Sequence, residues 1–440
     1  MIHLMGIGGS GMAPLAELLM IKGYQVSGCD RDRNHRVDRL ISLGIKCYRG
    51  HDPAHLKSVD RLIYSPAISP SEQELIEARE KVSTVQSRGE ALQQELKEYK
   101  VVGIAGTHGK TTTTAMLSYI VNNSDISALT FLGGEISSQQ SGLSWAESQL
   151  AILELDESDR MFLLFKPFWG VVSSMEVDHM GKHYQTKDQL YSAFKQYLTN
   201  SENKLVMVSD EMTSKLTEEM GSEVITCGQD ENVDIYFNAN FDHMIYQDRV
   251  VKLPVWGIHN YKNAALAITI GGLLGIASEK SIAALQEFPG VSRRNEIFWQ
   301  NSNLTMISDY AHHPTEVYAA ISTAKEIYDK VTVVFQPHLF SRTKMFASEF
   351  AQSLSNADEV LIMPIYPARE QPLPGVSSAM IADSLNRLGK VNLLLPDKQS
   401  LMQWLETKIT SMNGVVILLG AGDVDNWRGD LVKIAEEKIK

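Results

Sequence analysis

The chain has 440 residues, room for about two to four domains at ~100–200 residues each. With 44% apolar and 21% charged residues it has a globular balance, which excludes wholesale disorder. Its 41 Lys and Arg against 53 Asp and Glu give a net charge of −12. That excludes a broad surface for nucleic acid or an anionic membrane, but not a local loop for a small phosphate ligand.

The three cysteines, Cys29, Cys47 and Cys227, are far apart and form no CxxC pair, so neither a disulfide scaffold nor a cysteine zinc site is expected. The opening Met1-Ile2-His3-Leu4-Met5-Gly6 has no basic n-region and no long apolar h-region, and no apolar run approaches the ~18 residues of a bilayer span. A cytoplasmic enzyme without membrane insertion is therefore expected.

A strand is expected over residues 2–5, then a glycine loop, a helix over 12–22 and a strand over 25–29, followed by Asp30. Gly6-Ile7-Gly8-Gly9-Ser10-Gly11 fits G-x-G-x-x-G between strand and helix. Gly8, Gly9, Ser10 and Gly11 let backbone N–H groups approach a pyrophosphate, and Asp30 suits a ribose or base contact. A glycine turn that only packs helix on strand is the competing reading. NAD is the usual inference from such a loop, yet no hydride-transfer site follows it. A strand over 61–64 comes next, and a polar helix over 89–100 leads into a second α/β unit.

That unit opens with an apolar strand over 101–105, followed by Gly106-Thr107-His108-Gly109-Lys110-Thr111-Thr112. The strict Walker spacing needs glycine at Ile104, but the chemistry of a P-loop is intact. Backbone N–H groups and Lys110 can cradle the phosphates of ATP, and the Thr111 hydroxyl can ligate Mg²⁺. A helix over 110–121 and strands over 150–155 and 170–173 follow. Glu154, Asp156, Glu157 and Asp159 lie after the first of these strands, and Glu176, Asp178 and His179 after the second. Carboxylates at the carboxyl ends of parallel strands are suitable Mg²⁺ ligands. Residues 201–248 give weak signals, and 261–276 reads as a helix.

A third segment begins near Phe288-Pro289-Gly290 with Arg293-Arg294. Strands are expected over 305–307, 331–335, 359–363 and 415–419, with helices over 315–328 and 345–355. Asp309-Tyr310-Ala311-His312-His313 follows the first strand, and Gln336-Pro337-His338 with Arg342 follows the second. Adjacent histidines point different ways, so only one of His312 and His313 needs to serve a site.

These loops, with Gly257-Ile258-His259-Asn260-Tyr261-Lys262-Asn263-Ala264, Gly290-Val291-Ser292-Arg293-Arg294 and Gly420-Ala421-Gly422-Asp423, resemble in order the Mur ligase family, which adds amino acids to the peptide stem of the peptidoglycan precursor. The resemblance covers essentially the whole chain. It implies an α/β protein of three domains: a Rossmann-like UDP-binding domain over 1–98, a central P-loop ATPase domain over 99–288, and a C-terminal Rossmann-like domain over 289–440. The first glycine loop then belongs to UDP rather than NAD, with Asp30 a uridine contact.

The implied reaction joins L-alanine to the lactyl carboxylate of UDP-N-acetylmuramate through an acyl phosphate, with ATP and Mg²⁺. A relative that attaches recycled murein tripeptide to the same nucleotide sugar is the alternative. By the same resemblance Thr111, Glu154 and His179 are metal-site residues, and Gly106, Thr107, His108, Gly109, Lys110, Thr111 and Thr112 with Asn260 and Asn263 surround ATP. Arg294 and Asp309 approach ATP from the third domain. Tyr310, His312, His338 and Arg342 hold the amino acid and the acyl group, and His179 or His312 is the base for the amine. A monomer or weak homodimer is implied. The chain departs from the family pattern at Leu339, where many relatives carry arginine, at Ala311, where glycine is common, and at Gly181-Lys182-His183, which replaces an acidic pattern.

Overall fold

A computed structural model describes residues 1–135, 141–177, 183–368 and 370–438. The chain folds as two compact units, Met1–Pro254 with His259–Pro289, and Val255–Ile258 with Gly290–Lys440. Every sheet is parallel through its centre, so the fold is α/β, as expected.

The first unit contains two sheets. The N-terminal one has five parallel strands, Ile2–Met5, Val26–Asp30, Lys46–Arg49, Arg61–Tyr64 and Thr84–Ser87. Their spatial order is third, second, first, fourth, fifth, with the register Ile2 beside Val26 on one side and Arg61 on the other. The strand order reverses at the first strand, whose carboxyl end carries the first glycine loop. Open α/β sheets bind ligands at such a point.

The second sheet has ten strands, and Lys100–Ala105 lies between Trp169–Val172 and Leu150–Glu154. Its residues Val101 to Ala105 are all buried, as an apolar strand covered on both faces must be. The carboxyl ends of these three strands bring the Gly106–Gly109 loop, residues 155–159 and residues 173–176 together. Tyr197, fully buried, donates its hydroxyl to the Gly103 carbonyl at 2.7 Å and fixes the helix Lys187–Thr199 against the sheet. Phe162 and Phe194 pack edge to face with centroids 5.3 Å apart, and such buried aromatics contribute about 1.5–3 kcal/mol each.

The polar helix is shorter than its composition implies. It spans Arg88–Glu95, with a Ser87 and Glu90 capping box, and Lys100 already belongs to the strand. Residues 201–248 contain the strands Asn203–Val208, Ile225–Gly228, Ile235–Ala239 and Met244–Tyr246 and the helix Glu211–Met220. Ile235–Ala239 and Met244–Tyr246 are short and alternate buried with exposed positions, which weakens their apolar signal.

The second unit is a six-stranded sheet in the order Glu296–Gln300, Leu304–Asp309, Gly414–Leu419, Val331–Phe335, Glu359–Ile362, Asn392–Leu394. Only the first pair is antiparallel. Val333, Phe335 and Ile417 fill a core on one face, and Met306, Val334 and Leu418 a second core on the other. The expected helix over 345–355 instead spans Phe340–Leu354 and is bent at Phe346, where φ is −118°. Its first turns bury the polar Arg342 and Thr343, so no apolar period marks its start. Among the described residues no helix is long and apolar enough to cross a membrane.

Candidate active site

The loop after strand Lys100–Ala105 is built by two glycines in left-handed or otherwise restricted backbone. Gly109 has φ +81°, and a Cβ there would lie 2.4 Å from Asn263 Oδ1. Gly106 has φ +142°, and its Cβ would meet Ser173 Oγ at 2.2 Å. Only glycine fits either place. Ser173 and Ser174 then lock the loop: Ser173 Oγ donates to the His108 carbonyl at 2.6 Å, and the His108 N–H donates to Ser174 Oγ at 2.8 Å. Thr107 Oγ1 exchanges hydrogen bonds with the backbone of Glu176, at 2.9 and 3.1 Å.

Gly109 precedes the helix Lys110–Asn122 and has no side chain to satisfy its first N–H groups, which leaves them to a phosphate. Lys110 curls back over the loop, donating to the Gly106 and Thr107 carbonyls. Its ammonium lies 2.8 Å from the Glu157 carboxylate, which is 1% exposed. Burial works against the Lys110 charge, but Glu157, Asp156 and Glu154 outweigh it and hold the ammonium well above the usual lysine range. Thr111 donates to Glu154 Oε1 at 2.9 Å, and Glu154 Oε2 accepts the Gly133 N–H at 2.7 Å. A hydroxyl and a carboxylate in contact form a hard-oxygen donor pair, and this pair fits Mg²⁺. Thr112, Asn260 and Asn263 are buried, and Asn263 Oδ1 accepts from Thr113. His179 lies outside the described residues.

In the first glycine loop the Gly8 N–H donates to Asp30 Oδ2 at 2.8 Å, and Asn34 returns a bond to the Gly8 carbonyl. Asp30 thus braces the loop itself. The Arg88 guanidinium lies against Gly11, where a Cβ would come within 2.2 Å of Nη1. Its other nitrogen, Nη2, donates to Asp159 Oδ2 at 2.9 Å and so joins the first glycine loop to the acidic cluster beside the second. Arg88 does not stand out as a site residue in the sequence, and Glu157 is there only one of four carboxylates suited to Mg²⁺. The available signal was a charged residue at the start of a helix and a carboxylate within an acidic run.

In the second unit the predicted residues gather at the carboxyl ends of Leu304–Asp309 and Val331–Phe335. Asp309 accepts the N–H groups of Asn295 and Ala311, both at 2.7 Å. Burial pushes its carboxyl up to about 6, with Arg294 and those N–H groups opposing. Arg293 and Arg294 lie 4.8 and 5.1 Å from the Tyr310 ring centroid. His312 Nδ1 faces the Tyr310 carbonyl at 2.9 Å, and the His312 backbone N–H donates to Glu316 Oε2. The His312 ring is 5.9 Å from that of His338, which stacks with Tyr366 and lies 3.3 Å from Arg342 Nη1. His313 instead packs on Phe346. Leu339 has φ +72° and donates its N–H to the Tyr366 carbonyl, so the leucine-for-arginine departure falls at a strained turn.

Strand, glycine loop, lysine and threonine define a nucleotide-binding α/β protein with a second glycine loop before it. The chain belongs to the Mur ligase family. Residues 1–100 match the model of the Mur ligase family catalytic domain, 104–271 the Mur ligase middle domain, and 293–422 the Mur ligase glutamate ligase domain. UDP-N-acetylmuramate–L-alanine ligase of Desulforamulus reducens is 34% identical over 99% of this chain and 98% of its own. The protein of the same name from Paenarthrobacter aurescens is 35% identical over 96% and 94%. The crystal structure of UDP-N-acetylmuramate-alanine ligase MurC from Thermotoga maritima superposes with a TM-score of 0.84 at 29% identity, covering 99% of both chains. A murein peptide ligase from Psychrobacter arcticus shares the fold, with a TM-score of 0.73 at 19% identity over 100% of this chain and 99% of its own.

Proposed function

We propose that this chain is a cytoplasmic, ATP-dependent ligase that joins L-alanine to the lactyl carboxylate of UDP-N-acetylmuramate in peptidoglycan precursor synthesis. The observation that carries the reading is the loop itself. Lys110 and Thr111 are held against Glu157 and Glu154, in a chain whose near-full-length relatives bear that name.

A carboxylate is a poor electrophile, and transfer of the ATP γ-phosphoryl group turns it into an acyl phosphate. The reaction asks the protein to place phosphates and balance charge. The Gly106–Gly109 backbone and the helix start receive the phosphates, and Lys110 supplies the positive charge nearest them. Thr111 and Glu154 are the residues that would hold Mg²⁺, which supplies charge neutralisation to the transferring group. The first glycine loop, braced by Asp30 and covered by Arg88, takes the UDP diphosphate. In the second unit Arg342 and His338 receive the amino acid carboxylate or the acyl group. His312, which faces the Tyr310 carbonyl and Glu316, takes the amine proton in this reading.

The test is phosphate release from ATP and Mg²⁺ with UDP-N-acetylmuramate, with and without L-alanine, together with the product mass. Release that needs both, with a product heavier by one alanyl residue, is expected. Release with murein tripeptide but not with L-alanine would move the reading to the recycling ligase, and no release with either would overturn both.

A further inference from the structure

A second cluster of chemistry-bearing side chains lies beneath the first glycine loop. His3 sits on strand Ile2–Met5, Cys29 on Val26–Asp30, His55 in the 3₁₀ turn Pro53–Leu56, and Glu74 in the first turn of helix Gln73–Lys81. His3, Cys29 and Glu74 are 0% exposed, and the His55 side chain is 11% exposed. One ligand atom from each lies within 4.8 Å of the others.

From this geometry we infer a divalent-metal site of the zinc class, ligated by His3 Nε2, Cys29 Sγ, His55 Nδ1 and the Glu74 carboxylate. His3 Nε2 and His55 Nδ1 lie 3.1 and 3.2 Å from Glu74 Oε1, and Cys29 Sγ lies 3.3 Å from Glu74 Oε2. Zinc bond lengths of about 2.0–2.3 Å give tetrahedral edges of about 3.3–3.7 Å, close to these three contacts with Glu74, and the other donor pairs lie within 4.8 Å. His3 Nε2 is buried and makes no aligned hydrogen bond among the described residues, while Nδ1 is 2.9 Å from Ser27 Oγ. A ligating histidine is held in this way, one nitrogen anchored and the other aimed at the metal.

Two neutral imidazoles, a thiolate and a carboxylate give a dication a neutral buried site, and on coordination the thiol proton passes to solvent. His51 Nδ1, 3.0 Å from Cys29 Sγ, and the Asp52 N–H, 2.9 Å from Glu74 Oε2, hold the outer sides of two ligands. The wide spacing of the cysteines hides this site in the sequence, because its four ligands come from four separate elements and only one is a thiol. The Cys29 carbonyl accepts the N–H groups of Gly6 and Ile7 at 2.8 and 3.1 Å, so a metal here would stiffen the floor of the first glycine loop.

The experiment uses the full chain, stripped with a chelator and reloaded with Zn²⁺ or Co²⁺. One equivalent of zinc that raises the melting temperature is expected, with a thiolate-to-cobalt charge-transfer band in the Co²⁺ form. Cys29→Ser should abolish the band. His55→Gln, at the exposed edge of the cluster, should weaken zinc binding about tenfold or more while the circular dichroism spectrum is kept. Absence of stoichiometric metal and of the band in the folded protein overturns the site. So does a band that survives Cys29→Ser, or zinc affinity unchanged in both variants.

Discussion

The Lys110 ammonium and the Glu157 carboxylate face each other at 2.8 Å, both nearly buried, at the mouth of the second glycine loop. Glu157 is the foremost of the carboxylates that hold the Lys110 charge, ahead of Asp156 and Glu154. Lys110→Met is expected to lower ligase turnover by about 10²-fold or more, because the charge nearest the transferring phosphoryl group is lost. It should also cost about 3–5 kcal/mol of stability, because the 2.8 Å ion pair with the buried Glu157 is lost. The double variant Lys110→Met with Glu157→Leu should recover most of the stability and none of the turnover. Calorimetry beside a phosphate-release assay separates the two effects, and recovery of both together would remove Lys110 from the reaction.

Thr111 and Glu154 share a hydrogen bond of 2.9 Å through the oxygens assigned to the metal. Thr111→Val keeps the volume and deletes the hydroxyl. The expected outcome is a rise of about tenfold or more in the Mg²⁺ concentration for half-maximal activity, with little change in melting temperature. A Mg²⁺ titration identical to that of the parent protein would place the metal elsewhere.

Gly109 is a steric requirement. Alanine there is asked to adopt φ +81° and to set its Cβ 2.4 Å from Asn263 Oδ1. The backbone strain alone costs about 1–3 kcal/mol, and Asn263 must move as well. Gly109→Ala should lower the melting temperature and weaken ATP binding measured by calorimetry, whereas Gly23→Ala also meets φ > 0 but has nothing within 4 Å and should leave ATP binding alone. Equal ATP affinity in both variants would show that the loop tolerates the side chain.

Much of this was legible in the sequence. Strands Ile2–Met5, Arg61–Tyr64 and Val331–Phe335 fall on the expected residues, because short, mostly apolar runs that end at a glycine or proline turn have few alternatives. The glycine loops were legible for the same reason, since close backbone approach demands glycine. The start of helix Phe340–Leu354 was not, because its first turns bury Arg342 and Thr343 for use at a site rather than an apolar stripe. Glu157 was hidden among four carboxylates in six residues, and only the fold shows which of them meets Lys110.

Arg88 was equally hidden, because its partners Gly11 and Asp159 are distant in sequence. Its guanidinium touches the first glycine loop and the acidic cluster beside the second. Arg88→Met is expected to raise KM for UDP-N-acetylmuramate by about tenfold or more, the scale of a hydrogen bond to a charged group, while KM for ATP changes little. If both KM values rise together, Arg88 acts by holding the two loops in place. If neither moves, its contact with Gly11 has no part in binding.

Asp309 links structure to pH. Burial raises its carboxyl to about 6, above the ordinary value of 3.8. A group whose pKa is raised on folding binds its proton more tightly in the native state. Its contribution to stability is therefore complete below pH ~4 and is lost as the pH rises through about 6. Asp309→Asn resembles the protonated form and carries no such dependence. The melting temperature of the parent protein should therefore fall relative to that of Asp309→Asn between pH ~4 and about 6, and the gap should stay constant at higher pH. The comparison is a pair of melting curves at each pH. A gap that does not change across this window would mean that Asp309 titrates at its ordinary value, with Arg294 and the N–H groups of Asn295 and Ala311 offsetting its burial in full.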